Sequence, residues 1–449
     1  PEVRYGSGIL DAIASRFPSF VRVDSAQTDS DRSDAWIALA SGRPVGGGGR
    51  GAVFAPAPDL ALIVVDEEHH HTYKEDRSPR FDARWVAQRR AELQGAICVF
   101  LSSAPSVETG AATLEGGRFR SVSPVRSDRR AASPLVELVD RPEDRTLSPE
   151  LHDRISATLR SGERVALLAP SAAFARAVWC GECRRSVRCP RCESGMFFDR
   201  SKRQVRCGRC GHVDPAPDVC PTCGAADLKY VGAGTERLGE QLSKAFPRAF
   251  VHRVDPSAPD ELPSDPIDIY LTTWMGTKAA LRPDVSLVGI LDADWLIRRP
   301  DFRAAESAYQ ACVEMAEWAG PRDRGGHLVI QTVEPDHHSL QAIVRSDYSF
   351  FLRNELEQRR ELMYPPFIEL VKVVIAGARA EPFAAHVSAS IRHLATRILG
   401  PMPMARADGP PTVQLLIKCT DVMPVARALR DILEASPKGT RMSVDVDPR

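Results

Sequence analysis

Eight of the eleven cysteines fall between Cys180 and Cys223, in four CxxC units at Cys180/Cys183, Cys189/Cys192, Cys207/Cys210 and Cys220/Cys223. Two residues between thiols let the backbone curl so that both sulfurs face one ion, and Gly or Pro in and after the turn permits that geometry. Eight thiolates make two tetrahedral four-sulfur sites, so two Zn2+ ions are expected. The 14 residues between Cys192 and Cys207 suit a zinc-ribbon hairpin, which makes Cys189, Cys192, Cys207 and Cys210 the natural inner site. Cys180, Cys183, Cys220 and Cys223 then form a nested outer site. Sequential or crossed pairings stay open from the spacing alone, and iron–sulfur ligation is a formal alternative whose usual spacings differ. Clustered CxxC pairs in a large chain without a secretion signal point to metal before disulfides.

Closed four-thiolate sites have no open coordination position, so they fold a module and do not catalyse. Such a module displays a surface. Arg184, Arg185, Arg188, Arg191, Arg200, Lys202, Arg203, Arg206 and Arg209 face only Glu193 and Asp199 in this stretch, with Phe197 and Phe198 between. Cations interleaved with aromatics suit a nucleic-acid backbone and unstacked bases. The same cations also offset the negative charge of two four-thiolate sites.

The whole chain is neutral, with 59 Lys+Arg against 59 Asp+Glu in 449 residues, which excludes a globally basic histone-like binder. If nucleic acid is bound, a local patch must bind it. No run approaches the roughly 18 apolar residues of a membrane helix, so a soluble protein with no membrane partner is expected. The chain starts at Pro1 without a signal peptide, which predicts a piece of something longer.

Apolar runs at 60–65, 96–101, 164–170, 267–271, 286–294 and 327–332 alternate with helical patterns at 83–94, 235–246 and 301–318. Unbroken apolar strands between helices predict parallel α/β sheets covered on both faces. The stretch 133–149 is the expected joint between two such lobes, and 255–266 an expected loop. After the Tyr364-Pro365-Pro366-Phe367 run, strands at 368–376, 412–418 and 441–447 with helices at 380–397 and 422–435 predict an α+β unit. The expected division is 1–145, 146–362 with the cysteine insert at about 178–230, and 363–449.

The strand at 60–65 delivers Asp66-Glu67-Glu68-His69 at its C-terminal end, where α/β ligands bind. In an NTPase the first carboxylate holds the magnesium shell and the second orients the attacking water. A second strand leads to LSSAPSVET at 101–109. This pair resembles motifs of superfamily 2 helicases. With the eight Cys, Gly234-Thr235-Glu236-Arg237, LVGILDAD at 287–294, PDFRAAE at 300–306, VIQT at 329–332, YPPF and VDVDP at 444–448, the whole chain resembles the PriA family of primosomal replication-restart proteins.

The resemblance implies two RecA-like lobes, a two-zinc insert in the second, and a C-terminal α+β domain that helps bind DNA. It implies recognition of abandoned or stalled forks, primosome assembly and reloading of the replicative helicase in the bacterial cytoplasm, at the nucleoid. Forked or single-strand-containing DNA, helicase-loading proteins and single-strand-binding protein are the implied partners, and a monomer the implied state. The family's N-terminal DNA-binding domain, winged helix and Walker-A loop would precede Pro1.

Departures from the family pattern bear on the motor. Where active members carry QxxGRxGR, the chain has Glu314-Met315-Ala316-Glu317-Trp318-Ala319-Gly320-Pro321, with Arg322 and Arg324 the nearest candidates to replace the lost arginines. An arginine finger contributes roughly 10³–10⁵ in rate. A preceding motif, GTQM…KGHDF-like in active members, is replaced by Thr272-Thr273-Trp274-Met275 and Lys278-Ala279-Ala280-Leu281. No GKT or GKS occurs, GGGGRG at 47–52 is expected to be a loop, and His69-His70-His71 are expected to diverge. ATP/Mg2+ is thus offered only the remnant pair Asp66 and Glu67. The expected function is a fork-binding scaffold that has lost helicase activity. An active ATP-dependent 3′–5′ helicase is the alternative, and a zinc-ribbon interaction module outside replication the third reading.

Overall fold

A computed structural model describes residues 3–114, 116–142, 146–169, 177–191, 193–199, 202–207, 212–231, 235–254, 266–273, 283–299, 301–404 and 410–448. Its centre is a six-stranded, all-parallel sheet in the order Val251–Arg253, Ile269–Thr273, Val165–Ala169, Leu287–Ile290, His327–Thr332, Leu135–Asp140. The three strands Ile269–Thr273, Val165–Ala169 and Leu287–Ile290 are buried at every residue. Alternate side chains enter two cores. Ala166, Leu168, Val288, Ile290, Leu328 and Ile330 pack toward helices Ala304–Ala319, His338–Arg345 and Tyr348–Glu361. Val165, Leu167, Ile269, Leu271 and Val329 pack toward Leu151 and Ile155 of helix Pro149–Arg160 and Leu238 and Leu242 of helix Thr235–Ala245. The continuous apolar runs therefore do mark strands covered on both faces.

The expected joint at 133–149 is not a plain linker. Its LVELVD segment forms the edge strand Leu135–Asp140, paired in register with His327–Thr332, so this sheet begins ahead of position 146. The expected loop at 255–266 lies outside the described residues, except Pro266.

Ahead of that sheet stand two two-stranded parallel pairs, Phe20–Val23 with Val45–Gly48 and Leu62–Val65 with Ile97–Phe100. The expected loop at 47–52 is partly strand. Gly48 sits so close to its neighbour that an added Cβ would lie 1.6 Å from the Val23 carbonyl oxygen, which explains glycine there. The second pair departs from the covered-sheet expectation. Leu62, Val64 and Ile97, paired on one face, are 53, 51 and 66% exposed, and no described element covers them.

The last unit has the element order β-α-β-β-α-β. Its antiparallel sheet runs Arg397–Pro403, Thr412–Cys419, Glu369–Ala376, Arg441–Val446, with helices Ala380–Ile391 and Val422–Glu434 supplying its core. This is the split βαβ arrangement.

Candidate functional site

The cysteine insert leaves and rejoins the large sheet through an antiparallel pair, Ala177–Cys180 with Leu228–Val231. Between them, strands Met196–Asp199, Gln204–Cys207 and Val213–Pro215 form a small antiparallel sheet. Cys180, Cys183, Cys220 and Cys223 gather with all four Sγ atoms within 4.8 Å of one another. Cys180 Sγ lies 3.6 Å from Cys223 Sγ, and Cys183 Sγ 3.7 Å from Cys220 Sγ. A disulfide needs about 2.0 Å. A tetrahedron with Zn–S bonds of about 2.3 Å has edges of about 3.8 Å, so this donor set fits a metal ion. Of the other four thiols, Cys189 and Cys207 are buried in the insert's core, whereas Cys192 and Cys210 lie outside the described residues.

Arg184, Arg185, Arg188, Arg191, Lys202, Arg203 and Arg206 are all exposed, while Arg200 and Arg209 lie outside the described residues. Phe198, expected from the sequence to meet unstacked bases, is buried instead. Strand alternation turns Met196 and Phe198 inward onto Val178, Val187 and Val205, leaving only Phe197 half-exposed.

The acidic motif follows strand Leu62–Val65. Glu67 has φ 49°, a left-handed conformation that is strained for this residue type and concentrates at functional positions. Tyr73 donates its hydroxyl to the Asp66 carbonyl, and burial first, then Asp66, push that phenol's pKa up. Arg50, just after the glycine strand, clamps the loop by bonding Glu75 and the Thr72 carbonyl. The three histidines part company. His69 Nδ1 is 2.6 Å from Ser102 Oγ and its Nε2 is 3.4 Å from Glu314 Oε1 across the lobes, whereas His70 stacks on His71 and bonds Thr72.

The segment 314–321, where the resemblance places an arginine motif, begins in helix Ala304–Ala319. Glu314 faces His69, and Trp318 is buried in the core. Arg322 donates its backbone N–H to Ser133 O at 3.1 Å and its guanidinium to Pro134 O, and Arg324 shares the same 3-10 turn at the start of strand His327–Thr332. The segments 274–282 and 232–234 lie outside the described residues, and with them Trp274, Met275, Lys278–Leu281 and Gly234 of the quoted motifs.

The remaining motifs converge on a buried junction that sequence reasoning did not assign. Glu68 accepts from Ser106 N, Ser106 Oγ and Thr109 Oγ1, tying the two first-lobe motifs together. Glu108 then receives Arg303 at 2.7 Å and Arg359 at 3.3 Å. Glu306 accepts from Val107 N, Arg303 and Arg359. Burial alone would raise the Glu306 carboxyl, but Arg359 and Arg303 outweigh it and hold it far below the usual range. Burial likewise opposes the charge on Arg303, and Glu108, Glu306 and Asp447 override it.

The C-terminal unit is fastened to the same place. Arg303 reaches Asp447 at 3.6 Å, and Lys74 reaches Asp445 at 3.3 Å. Tyr364 of the YPPF run stacks on Phe302 at 4.6 Å, with Lys418 Nζ 3.6 Å above its ring centroid. The i,i+3 pair Arg303–Glu306 and the i,i+4 pair Glu355–Arg359 were the local signals of this network in the sequence.

Residues 360–449 match the family profile described as the primosomal protein N C-terminal domain. Over the full chain, the replication restart protein PriA of Bacillus subtilis is 32% identical, the match covering 59% of that protein. The replication restart protein PriA of Treponema pallidum is also 32% identical over the full chain, with 71% of it covered. The chain thus spans three-fifths to seven-tenths of these relatives' lengths. A DEAD box protein from Methanococcus jannaschii aligns with 76% of the chain at 10% identity and a TM-score of 0.31.

Proposed function

The chain belongs to the PriA family of replication restart proteins, and from that premise we propose that it serves restart as a DNA-binding scaffold without helicase activity. It recognises abandoned or stalled forks, or other DNA with single-stranded parts. It promotes assembly of the primosome and reloading of the replicative helicase, in the cytoplasm, as a monomer. Residues ahead of Leu135 form the first lobe, those from Leu135 to about 362 the second with its insert, and 363–449 the C-terminal domain.

Two Zn2+ ions fold the insert, one on Cys180, Cys183, Cys220 and Cys223, the other on Cys189, Cys192, Cys207 and Cys210. The metal supplies folding free energy, since closed thiolate sites leave no room for substrate. The exposed arginines and Lys202 of the insert then face DNA phosphates or a DNA-bound partner.

The observation that carries the scaffold reading is the state of helix Ala304–Ala319. Glu314 meets His69, Trp318 is core, and the first arginine beyond, Arg322, is held by Pro134. A catalytic arginine lost from this position removes roughly 4–7 kcal/mol of barrier lowering. Asp66 and Glu67, the latter strained, favour an active 3′–5′ helicase as the second reading. DNA-stimulated ATPase activity of the full-length protein decides between them. Ordinary helicase turnover, abolished by Asp66→Asn with Glu67→Gln, overturns the scaffold; background turnover, unchanged by those substitutions, is expected.

A further inference from the structure

Residues 118–130 are a second concentration of positive charge, outside the cysteine insert. The segment carries Arg118, Arg120, Arg126, Arg129 and Arg130 against one acid, Asp128. Every residue from Gly116 to Asp128 is exposed except Phe119, and Val122 and Val125 are 91 and 63% exposed. From Arg120 to Val125 no residue belongs to a strand or helix, and no backbone N–H in that run finds an acceptor among the described residues. The hydroxyls of Ser121 and Ser123 likewise find no hydrogen-bond partner among the described residues.

Both ends are nonetheless anchored. Phe119 donates its N–H to Ala112 O at 2.8 Å and packs edge-on against Phe100 at 5.3 Å. At the other end helix Arg126–Ala132 leads to Ser133 and Pro134, which hold Arg322. The 3-10 turn Arg322–Arg324 thereby adds Arg324 beside the strap. Among the described residues the acids nearby are few: Glu92 feels Arg118, Asp347 lies 4.0 Å from Arg126, and Asp323 sits in the turn.

A run of guanidinium groups, hydroxyls and unpaired backbone N–H groups, held at both ends, has the donor set that binds phosphodiesters. Unpaired donors of this kind gain most from an anion with several acceptor oxygens. The strap has no exposed aromatic side chain for base stacking, so it contacts the DNA backbone and carries no sequence preference. We propose that the strap 118–130 is a phosphate-contacting DNA surface, separate from the cysteine insert, that crosses from the first-lobe strand Ile97–Phe100 to the edge of the large sheet. The inference rests on the DNA-binding reading of the chain and adds a second place where DNA touches it.

The test is the salt dependence of binding of a fluorescein-labelled forked DNA to the full-length protein, followed by anisotropy. The variant Arg118→Gln with Arg120→Gln and Arg130→Gln alters three exposed side chains, for which the stability change is small. Each lost phosphate contact lowers the slope of log K against log salt by roughly 0.7–0.9, so a decrease of about 2–3 is expected. The preference for fork over duplex stays unchanged. A matched variant of the insert, Arg184→Gln with Arg185→Gln and Arg188→Gln, separates the two surfaces. If the insert variant lowers the slope and the strap variant does not, the strap proposal fails and the DNA reading stands. If the unaltered protein binds no DNA, both fail. If poly-glutamate of matched charge displaces DNA from the strap as well as DNA does, the surface is for an acidic protein and the phosphodiester assignment is overturned.

Discussion

Arg359→Met tests whether the buried junction is a structural weld. The side chain is 2% exposed and donates to Glu355 Oε1 and Glu306 Oε2 at 2.8 Å each, to Glu108 Oε1 at 3.3 Å and to the Pro365 carbonyl at 3.2 Å. Methionine fills much of the volume and supplies none of the donors. Glu108 and Glu306 keep Arg303, and Glu355 keeps His338 at 3.0 Å. Removing one partner from a buried ion pair costs about 3–5 kcal/mol, because the other charge stays buried. The surviving partners place this case near the lower end, about 3 kcal/mol. For a core of this size the transition should fall by roughly 6–12 °C.

Buried Trp318 reports that transition by fluorescence on heating at pH 7. Acid titration adds a second readout. The folded pKa of Glu306 lies below its ordinary 4.5, so its stabilisation is present above that pH and is lost as pH falls through the folded value. Without Arg359 the folded value moves back up, so the stability difference between the two proteins should shrink progressively as pH falls below about 4.5. Adding Glu306→Gln removes the stranded charge and should recover part of the loss, with a coupling of roughly 0.5–3 kcal/mol. A shift under about 2 °C for Arg359→Met, or full additivity with Glu306→Gln, refutes the weld.

Zinc content measured by plasma mass spectrometry should be two ions per chain, falling to one in Cys220→Ser with the main melting transition unmoved; one or none in the unaltered protein removes the two-site assignment. A pH effect should come from His337, whose Nδ1 accepts from Ser339 N and so caps helix His338–Arg345. Burial first, then His338, lower its pKa from 6.5 to about 4, so the unfolded chain binds the proton more tightly and stability falls as pH drops from about 6.5 through about 4. His337→Asn keeps a capping oxygen without a titrating ring; its melting temperature should vary less over that window, and an unchanged pH profile refutes the cap.

The central strands were legible because parallel strands covered on both faces need apolar side chains at every position, as VALLA at 165–169 has. Leu135–Asp140 was not, because an edge strand tolerates Glu137 and Asp140 and its flanking prolines look like punctuation. Strand Arg397–Pro403 hid for the same reason: it holds Gly400, Pro401 and Pro403 at a sheet edge, with a register shift between Leu399 and Met402. The thiols announced a metal because CxxC spacing is local chemistry. The burial of Phe198 depends on strand phase, which composition around the cysteines does not encode. The junction was hidden most deeply, since Glu306 meets Val107 across 199 residues and Arg359 meets Glu108 across 251. No local pattern pairs residues at that separation.

A nucleic-acid motor must separate and rejoin its lobes in every cycle. Here the carboxylate Glu108 of the first lobe is held by two guanidinium groups of the second, and Arg303 also meets Asp447 of the C-terminal unit. Opening that contact means exposing or stranding several buried charges, each worth kcal/mol. The same contacts suit a different task. A scaffold binds best when its surfaces are held in place before binding, because less ordering is then required on association. The junction fixes the acidic loop, the YPPF run and the C-terminal sheet relative to one another through Lys74, Tyr364 and Lys418. The substitutions at 314–321 and the buried ion pairs both support the proposed scaffold role over that of a motor.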